Sequence, residues 1–390
     1  VYRVTVTTTN LTREARVPED DETRPEQAHH PGLTQTVHHA GSSSVAFLER
    51  VDPAWSRRVK GLRLVTAYAI AVTLGALQGH SHSLAGGASL GSLAGGFALW
   101  ACVSEGRTRR TASARDLILL IAAAALGATS VVALAPLLTG PGHPGSELTL
   151  VTGAFLVSYL KRFGILGAGV GSQIYIGQLL AYGAQLTRSD LPLIAISGLI
   201  GAVAATLPLI LYRPPPITAV TPVQPDDRIP AQELRMGLQA AAAALVIVFL
   251  NDTLHLKESV WAITACTYVI ASSTTGTVER VRRRILGTAI GVPLGLLCLP
   301  LFLHMPWLGW IAAALAMIIY AMALPERYDI ACAAFAFTLI VTLILQGETS
   351  IFVLASRAWE TLIGGALGLA TAMIILPLRR PERNTSPPEA

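Results

Sequence analysis

The 390-residue chain has little charge: Asp, Glu, Lys and Arg together make up 14% of it, against about 25% in an ordinary soluble domain. That shortage excludes the two or three water-soluble domains that its length would allow. Cysteine is scarce as well. Cys102, Cys266, Cys298 and Cys332 lie inside apolar stretches without Cys-x-x-Cys spacing, which argues against a disulfide framework or a structural zinc site and leaves them as small packing residues. His-Glu-x-x-His, Gly-x-Ser-x-Gly and Walker sequences are missing. The expectation is therefore a protein that is not an enzyme and holds no metal or cofactor. The first residues also lack the basic and apolar regions of a secretory signal.

Apolar residues are abundant instead, at 52%, and the mean hydropathy is +0.54. They come in runs of about 20, the length of helix that crosses a hydrocarbon core of ~30 Å. The runs fall at 61–78, 84–103, 116–138, 147–163, 165–186, 190–212, 232–251, 259–276, 284–303, 305–324, 328–346 and 357–378. The fold class is all-α: a polytopic membrane protein with about 12 transmembrane helices. Residues 1–60 read as a disordered tail with a short interfacial segment around Trp55, 213–231 as a Pro-rich linker and 379–390 as a second tail. His29-His30 and His38-His39 in the first tail have no carboxylate or Cys at ligand spacing, so they read as ordinary tail histidines.

A net charge of +5 would suit a nucleic-acid partner, but its distribution does not. Of the 29 Lys and Arg, all but Arg188, Lys257 and Arg357 fall on one side if alternate loops face the same way. The positive-inside rule then puts both termini in the cytoplasm and the chain in the plasma or inner membrane.

The chain also repeats itself. Residues 198–214, GLIGAVAATLPLILYRP, align with 365–381, GALGLATAMIILPLRRP, at an offset of 167; Arg162-Phe163 aligns with Arg327-Tyr328, and Leu62-Arg63 with Leu234-Arg235. Two six-span halves, 61–212 and 232–378, are expected. With an even number of spans each, they insert the same way up as parallel repeats about an axis along the membrane normal.

The second half carries the most specific pattern: Trp261-x-x-Thr264, then Thr274, Thr277, Arg280, Arg284, Gly287-Thr288, Gly291 and Gly295, then Tyr320, Arg327-Tyr328, and Arg357-x-x-Glu360-Thr361-x-x-Gly364-Gly365. This resembles the fusaric acid resistance family, the integral membrane bound transporter domain, which includes bacterial aromatic-acid exporters and is distantly similar to plant aluminium-activated malate transporters. The resemblance is clearest over 232–378. In the first half Asp190 stands where Arg357 does, and Leu193 where Glu360 does. The linker is also far shorter than the soluble domain that many members carry between halves.

The resemblance implies that Arg280 and Arg284 draw a carboxylate toward the inner mouth, as guanidinium groups do; read alone, the same cluster serves as an orientation anchor. Arg357 and Glu360 share a helical face at i and i+3. Inside the bundle, Arg357 would hold the anion and Glu360 the coupling proton; in headgroup water they would be an ion pair of little value. Gln173, Tyr175 and Gln178 either line a path or bond a neighbouring helix. Gly287, Thr288, Gly291, Gly295, Gly364 and Gly365 read as helix packing, as do Gly167, Gly169 and Gly171. The function expected is efflux of small organic, aromatic acids driven by the proton gradient. The alternatives are a passive organic-anion channel and a non-transporting membrane subunit of an envelope assembly. The lipid bilayer and a small organic anion are the expected partners, with a second copy of the chain or a periplasmic adaptor left open.

Overall fold

The computed structural model describes residues 56–78, 89–107, 109–138, 145–212, 230–254, 259–324 and 326–375. The two tails and the linker expected from the sequence lie almost wholly outside these residues. The described residues form helices and no strand. They are α1 Ser56–Gln78, α2 Leu90–Ser104, α3 Arg110–Leu138, α4 Leu148–Tyr159, α5 Gly164–Gly183, α6 Leu191–Thr206, the short α7 Pro208–Leu211, α8 Pro230–Leu254, α9 Ser259–Val269, α10 Thr274–Leu297, the short α11 Leu299–His304, α12 Pro306–Ala323, α13 Tyr328–Leu345 and α14 Ile351–Ile374.

Local chemistry sets where these helices start. Ser89, Ser273 and Ser350 each turn a side-chain oxygen to a free backbone N–H of the first turn, at Ser92, Gly276 and Val353 respectively, as an N-cap does. Proline opens α12 and stands in the first turn of α6, where its missing N–H costs no bond. Between α4 and α5 a 3-10 turn, Leu160–Phe163, ends at Gly164 with φ of +78°, a conformation that glycine adopts without steric penalty. The chain reverses there, and α4 packs back on α5.

Among the described residues seven stretches have the length and apolarity of a membrane span: Arg57–Gln78, Arg110–Leu138, Leu148–Gly183, Arg188–Leu211, Ala231–Asn251, Pro306–Ala323 and Tyr328–Leu345, of which Leu148–Gly183 takes in the reversal at Gly164. The apolar helices α2 and α9 are shorter. Helices α10 and α14 have 24 residues each but carry Glu279–Arg284 and Arg357–Glu360. Large apolar side chains point outward all over the bundle, among them Leu199, Ile210, Ile290, Trp307 and Phe352. In water so much exposed apolar surface would drive association; in lipid it is the contact surface. The protein is a multi-pass helical membrane protein.

Within residues 56–211, α1 packs on α2 and α6, α2 on α6, α3 on α5 and α6, and α4 on α5. Within 230–374, α8 packs on α9 and α14, α9 on α14, α10 on α13 and α14, and α12 on α13. The groups meet most extensively at α4 with α8 and at α12 with α1, with a smaller contact between α4 and α9.

Two boundaries differ from the sequence reading in ways that matter. Helix α10 begins at Thr274, not at 284, because Ser273 caps it and the charged stretch continues the helix. Helix α14 begins at Ile351, not at 357. Arg280–Arg284 and Arg357–Glu360 therefore lie within helices, one to two turns or more from their ends.

Candidate functional site

The charged residues of α10 and α14 meet around a small cavity inside the second group of helices. Trp261 from α9, Arg284, Thr288 and Val292 from α10, Cys332, Phe335, Ala336 and Leu339 from α13, and Arg357 and Thr361 from α14 line it. Its volume is 20 Å³, room for about one water molecule.

Close helix approach creates the site. A Cβ added to Gly287 would fall 2.5 Å from the Asp329 carbonyl oxygen; one on Gly291 would overlap the Ala333 carbonyl, and one on Gly295 would lie 2.8 Å from Ile340. These glycines seat α10 on α13. Gly364 seats α14 on α9 in the same way, whereas a Cβ on Gly365 would meet nothing nearer than Val281 at 3.5 Å. Thr288, read from the sequence as a packing residue, faces the cavity.

Arg357 and Glu360 are only 5% and 6% exposed, so the headgroup ion pair is not what the fold contains. Arg357 Nη1 stands 3.7 Å from Glu360 Oε2, and its guanidinium carbon lies 4.8 Å from the centre of the Trp261 ring, a cation–π arrangement that strengthens out of water. Arg284 is half-buried. Its Nη1 donates to the Tyr328 hydroxyl at a long 3.4 Å, and its buried Nε has no hydrogen-bond partner among the described residues. Gly365 packs across from Val281, which places Arg284 about five residues, or ~8 Å along the helix axis, nearer the arginine-rich end than Arg357. The cavity thus has a guanidinium group at each end and, among its described neighbours, one carboxylate.

The other expected site residues are placed elsewhere. Arg280 is exposed, and its Nη1 donates to the Ile270 carbonyl at 3.0 Å, where it closes the end of α9 and does not line the cavity. Gln173, Tyr175 and Gln178 are buried in α5 and do not line it either. Gln173 Nε2 donates to the Trp100 carbonyl at 2.8 Å and to Ser104 Oγ at 3.0 Å, and Gln178 Nε2 bonds Ser130 and Thr152. The Tyr175 hydroxyl pairs with Thr264 Oγ1 at 2.8 Å, and its ring meets Tyr268 edge-on. Gln173 reaches the site at second hand. Trp100 packs edge-on against Phe335 at 5.7 Å and against Tyr320 at 6.1 Å, and Phe335 is a cavity wall.

Sequence reasoning missed Trp100 and Phe335, which nothing in their apolar runs sets apart from neighbours such as Phe97 and Phe337. No group of His, Cys, Asp or Glu among the described residues could hold a metal ion.

The fold and site define a membrane-embedded helical bundle with a small cavity lined by two arginines. Residues 242–371, about a third of the chain, match the family described as fusaric acid resistance protein-like. Arg284, Arg357 and Glu360 all fall within that stretch, and residues 56–211 fall outside it. No curated protein and no solved structure matches the chain.

Proposed function

We propose that the protein is a secondary transporter that carries small organic acids, aromatic ones in particular, out of the cell across the plasma membrane, driven by the proton gradient and without an enzymatic step. The observation that carries this reading is the pair of guanidinium groups, Arg284 and Arg357, at the two ends of a cavity beside a single carboxylate. Away from water such a site attracts an anion, and a carboxylate can take two parallel bonds from each arginine. Trp261 and Phe335 offer aromatic walls for a ring. The matched family description supports the same substrate class.

The rest of the architecture supports a carrier. The same helix neighbours recur in 56–211 and 230–374, which favours twelve spans in two parallel repeats. The arginine count favours cytoplasmic termini. In the resting state Glu360 occupies Arg357. For an inward proton gradient to drive efflux, the proton and the acid must hold the carrier in turn, so Glu360 would carry its proton on the substrate-free return and release it to the cytoplasm before the next acid binds. We assign that exchange to Glu360 as the described carboxylate paired with Arg357. The electrical part of the gradient acts on any net charge moved, at about 2.3 kcal/mol per charge per 100 mV, or roughly 50-fold in concentration.

The test is flux of a panel of aromatic and aliphatic carboxylates in liposomes holding the purified chain, with the pH difference and the membrane potential imposed separately. Gradient-dependent accumulation of an aromatic acid is expected, and Glu360→Gln should abolish the part that follows the pH difference without loss of fold. Wild-type rates from that variant would remove Glu360 from coupling. Flux that merely dissipates the anion gradient would make the protein a channel, and no flux of any acid would favour the non-transporting subunit.

A further inference from the structure

Two of the cavity's walls are aromatic, and they differ in what stands against them. Trp261 already carries the Arg357 guanidinium on its ring, so Phe335 is the wall left to a substrate ring. Phe335 and Phe337 are two residues apart on α13, about 200° around the helix. Phe337 packs on Phe302 in the apolar core of its own group. Phe335 is turned the other way, toward α2 and α12, where the Trp100 ring stands edge-on at 5.7 Å and the Tyr320 ring lies at 6.3 Å. Trp100 and Tyr320 also meet edge-on at 6.1 Å, so the three rings close a triangle in which each braces the other two. Trp100 belongs to residues 56–211, and the other two rings belong to 230–374.

Trp100 is itself held from behind. Its carbonyl accepts from Gln173 Nε2 at 2.8 Å, and the same nitrogen donates to Ser104 Oγ at 3.0 Å. Gln173 is wholly buried, where a broken amide bond has no water to replace it. The last turn of α2 is thereby pinned to α5. A Phe side chain has two soft torsions, and a ring packed against its edge removes the alternatives. Trp100 therefore fixes where the Phe335 ring lies without lining the cavity itself.

We propose that Trp100 is a positioning residue that sets the preference for aromatic acids: it holds Phe335 in the orientation in which that ring meets the ring of the substrate. The assignment rests on the transport reading of the cavity. It adds a selectivity that comes from the first group of helices, outside the residues 242–371 that match the family. An aligned ring pair is worth about 2–12-fold beyond the area it covers, and that is the discrimination expected between an aromatic ring and a saturated ring of the same size.

The purified full chain in liposomes is given benzoate or cyclohexanecarboxylate, which share a carboxylate and a six-membered ring, and kcat and KM are measured for each. Wild type should favour benzoate by about 2–12-fold in kcat/KM. Trp100→Leu should bring that ratio near one by raising KM for benzoate, and Trp100→Phe, which keeps an edge against Phe335, should restore part of it. Phe335→Leu should also bring the ratio near one, with no further change when Trp100→Leu is added. Loss of packing alone slows both acids together and leaves the ratio where it was. An unchanged ratio in whichever Trp100 variant folds would overturn the proposal. So would a preference that survives Phe335→Leu and is lost only in the double variant, because Trp100 would then touch the substrate ring itself. Equal kcat/KM for the two acids in the wild type would overturn it and leave transport standing. No flux of either acid or of the wider panel would remove the transport reading and this assignment with it.

Discussion

The two groups of six long helices, 56–211 and 230–374, pair their helices in the same order but keep their charges in different places. In the first group the buried ions Arg63 and Asp116 pair with residues of the connection between α2 and α3: Arg63 with Glu105 at 3.4 Å and Asp116 with Arg107 at 2.8 Å, while the exposed Arg115 lies 3.3 Å from Asp116. Lys60 adds bonds to the Val103 and Glu105 carbonyls at the end of α2. Deeper in, its polar groups are the neutral amides Gln173 and Gln178. In the second group Arg284, Arg357 and Glu360 lie inside the helices, around a cavity. Ions at a helix end can lean on water and backbone carbonyls, whereas ions inside need a polar cavity or a partner. One group is built as a frame and the other holds the site.

The largest effect should come from a position where the sequence itself records this difference. Asp190 aligns with Arg357 but works as a cap, accepting from the Thr187 N–H at 2.7 Å and from the Thr187 hydroxyl at 2.8 Å. Arg357→Gln leaves Glu360 without its guanidinium. Breaking a buried pair on one side costs about 3–5 kcal/mol, and the substrate loses its anchor, so flux should vanish. Asp190→Ala should cost only about 1 kcal/mol, as lost caps do, with flux unchanged. Thermal unfolding and liposome flux of both variants measure the contrast. If Asp190→Ala stops flux, the first group is more than a frame.

A smaller effect tests what the groups share. In the first, a Cβ on Gly177 would overlap the Ala124 carbonyl between α5 and α3; in the second, one on Gly291 would overlap that of Ala333 between α10 and α13. Both Gly→Ala changes should destabilise by about 1–3 kcal/mol, as overpacking does. Gly365→Ala has space and should leave the unfolding temperature nearly unchanged. Tolerance at one of the two crowded positions would mean that the matching helix pairs are not equally tight.

Much of this contrast was legible before any coordinates. The apolar runs locate the helices because each must satisfy its own backbone in lipid, and the Arg357–Glu360 spacing put both groups on one helical face. The split between Arg280 and Arg284 was not legible. Both belong to one charged stretch, and only the start of α10 at Thr274 and the end of α9 at Val269 decide that Arg280 meets a carbonyl while Arg284 reaches the cavity. The contacts of Glu147 were not legible for a different reason: its described donors Tyr182, Asn251 and Ser259 stand 35, 104 and 112 residues away.

The smallest effect concerns the two largest contacts between the groups, each of which sets a cation of the first group near a carboxylate of the second at the arginine-rich end. At α12 with α1, Arg57 holds Glu326 through two hydrogen bonds. At α4 with α8, Lys161 lies within electrostatic range of Glu233, which is 5% exposed. The Arg57 guanidinium, first by hydrogen bonding and then by charge, keeps the Glu326 carboxyl below its ordinary range. A lowered carboxylate value stabilises the fold at neutral pH, and that contribution fades as the pH falls through the folded-state value. Glu326 is fully solvated, so water and salt screen the pair. Glu326→Gln should leave the unfolding temperature unchanged at physiological salt, whereas Glu233→Gln should shift it, because that carboxylate is buried. Equal effects from the two would mean that both contacts are equally dry, and that the groups differ only around the cavity.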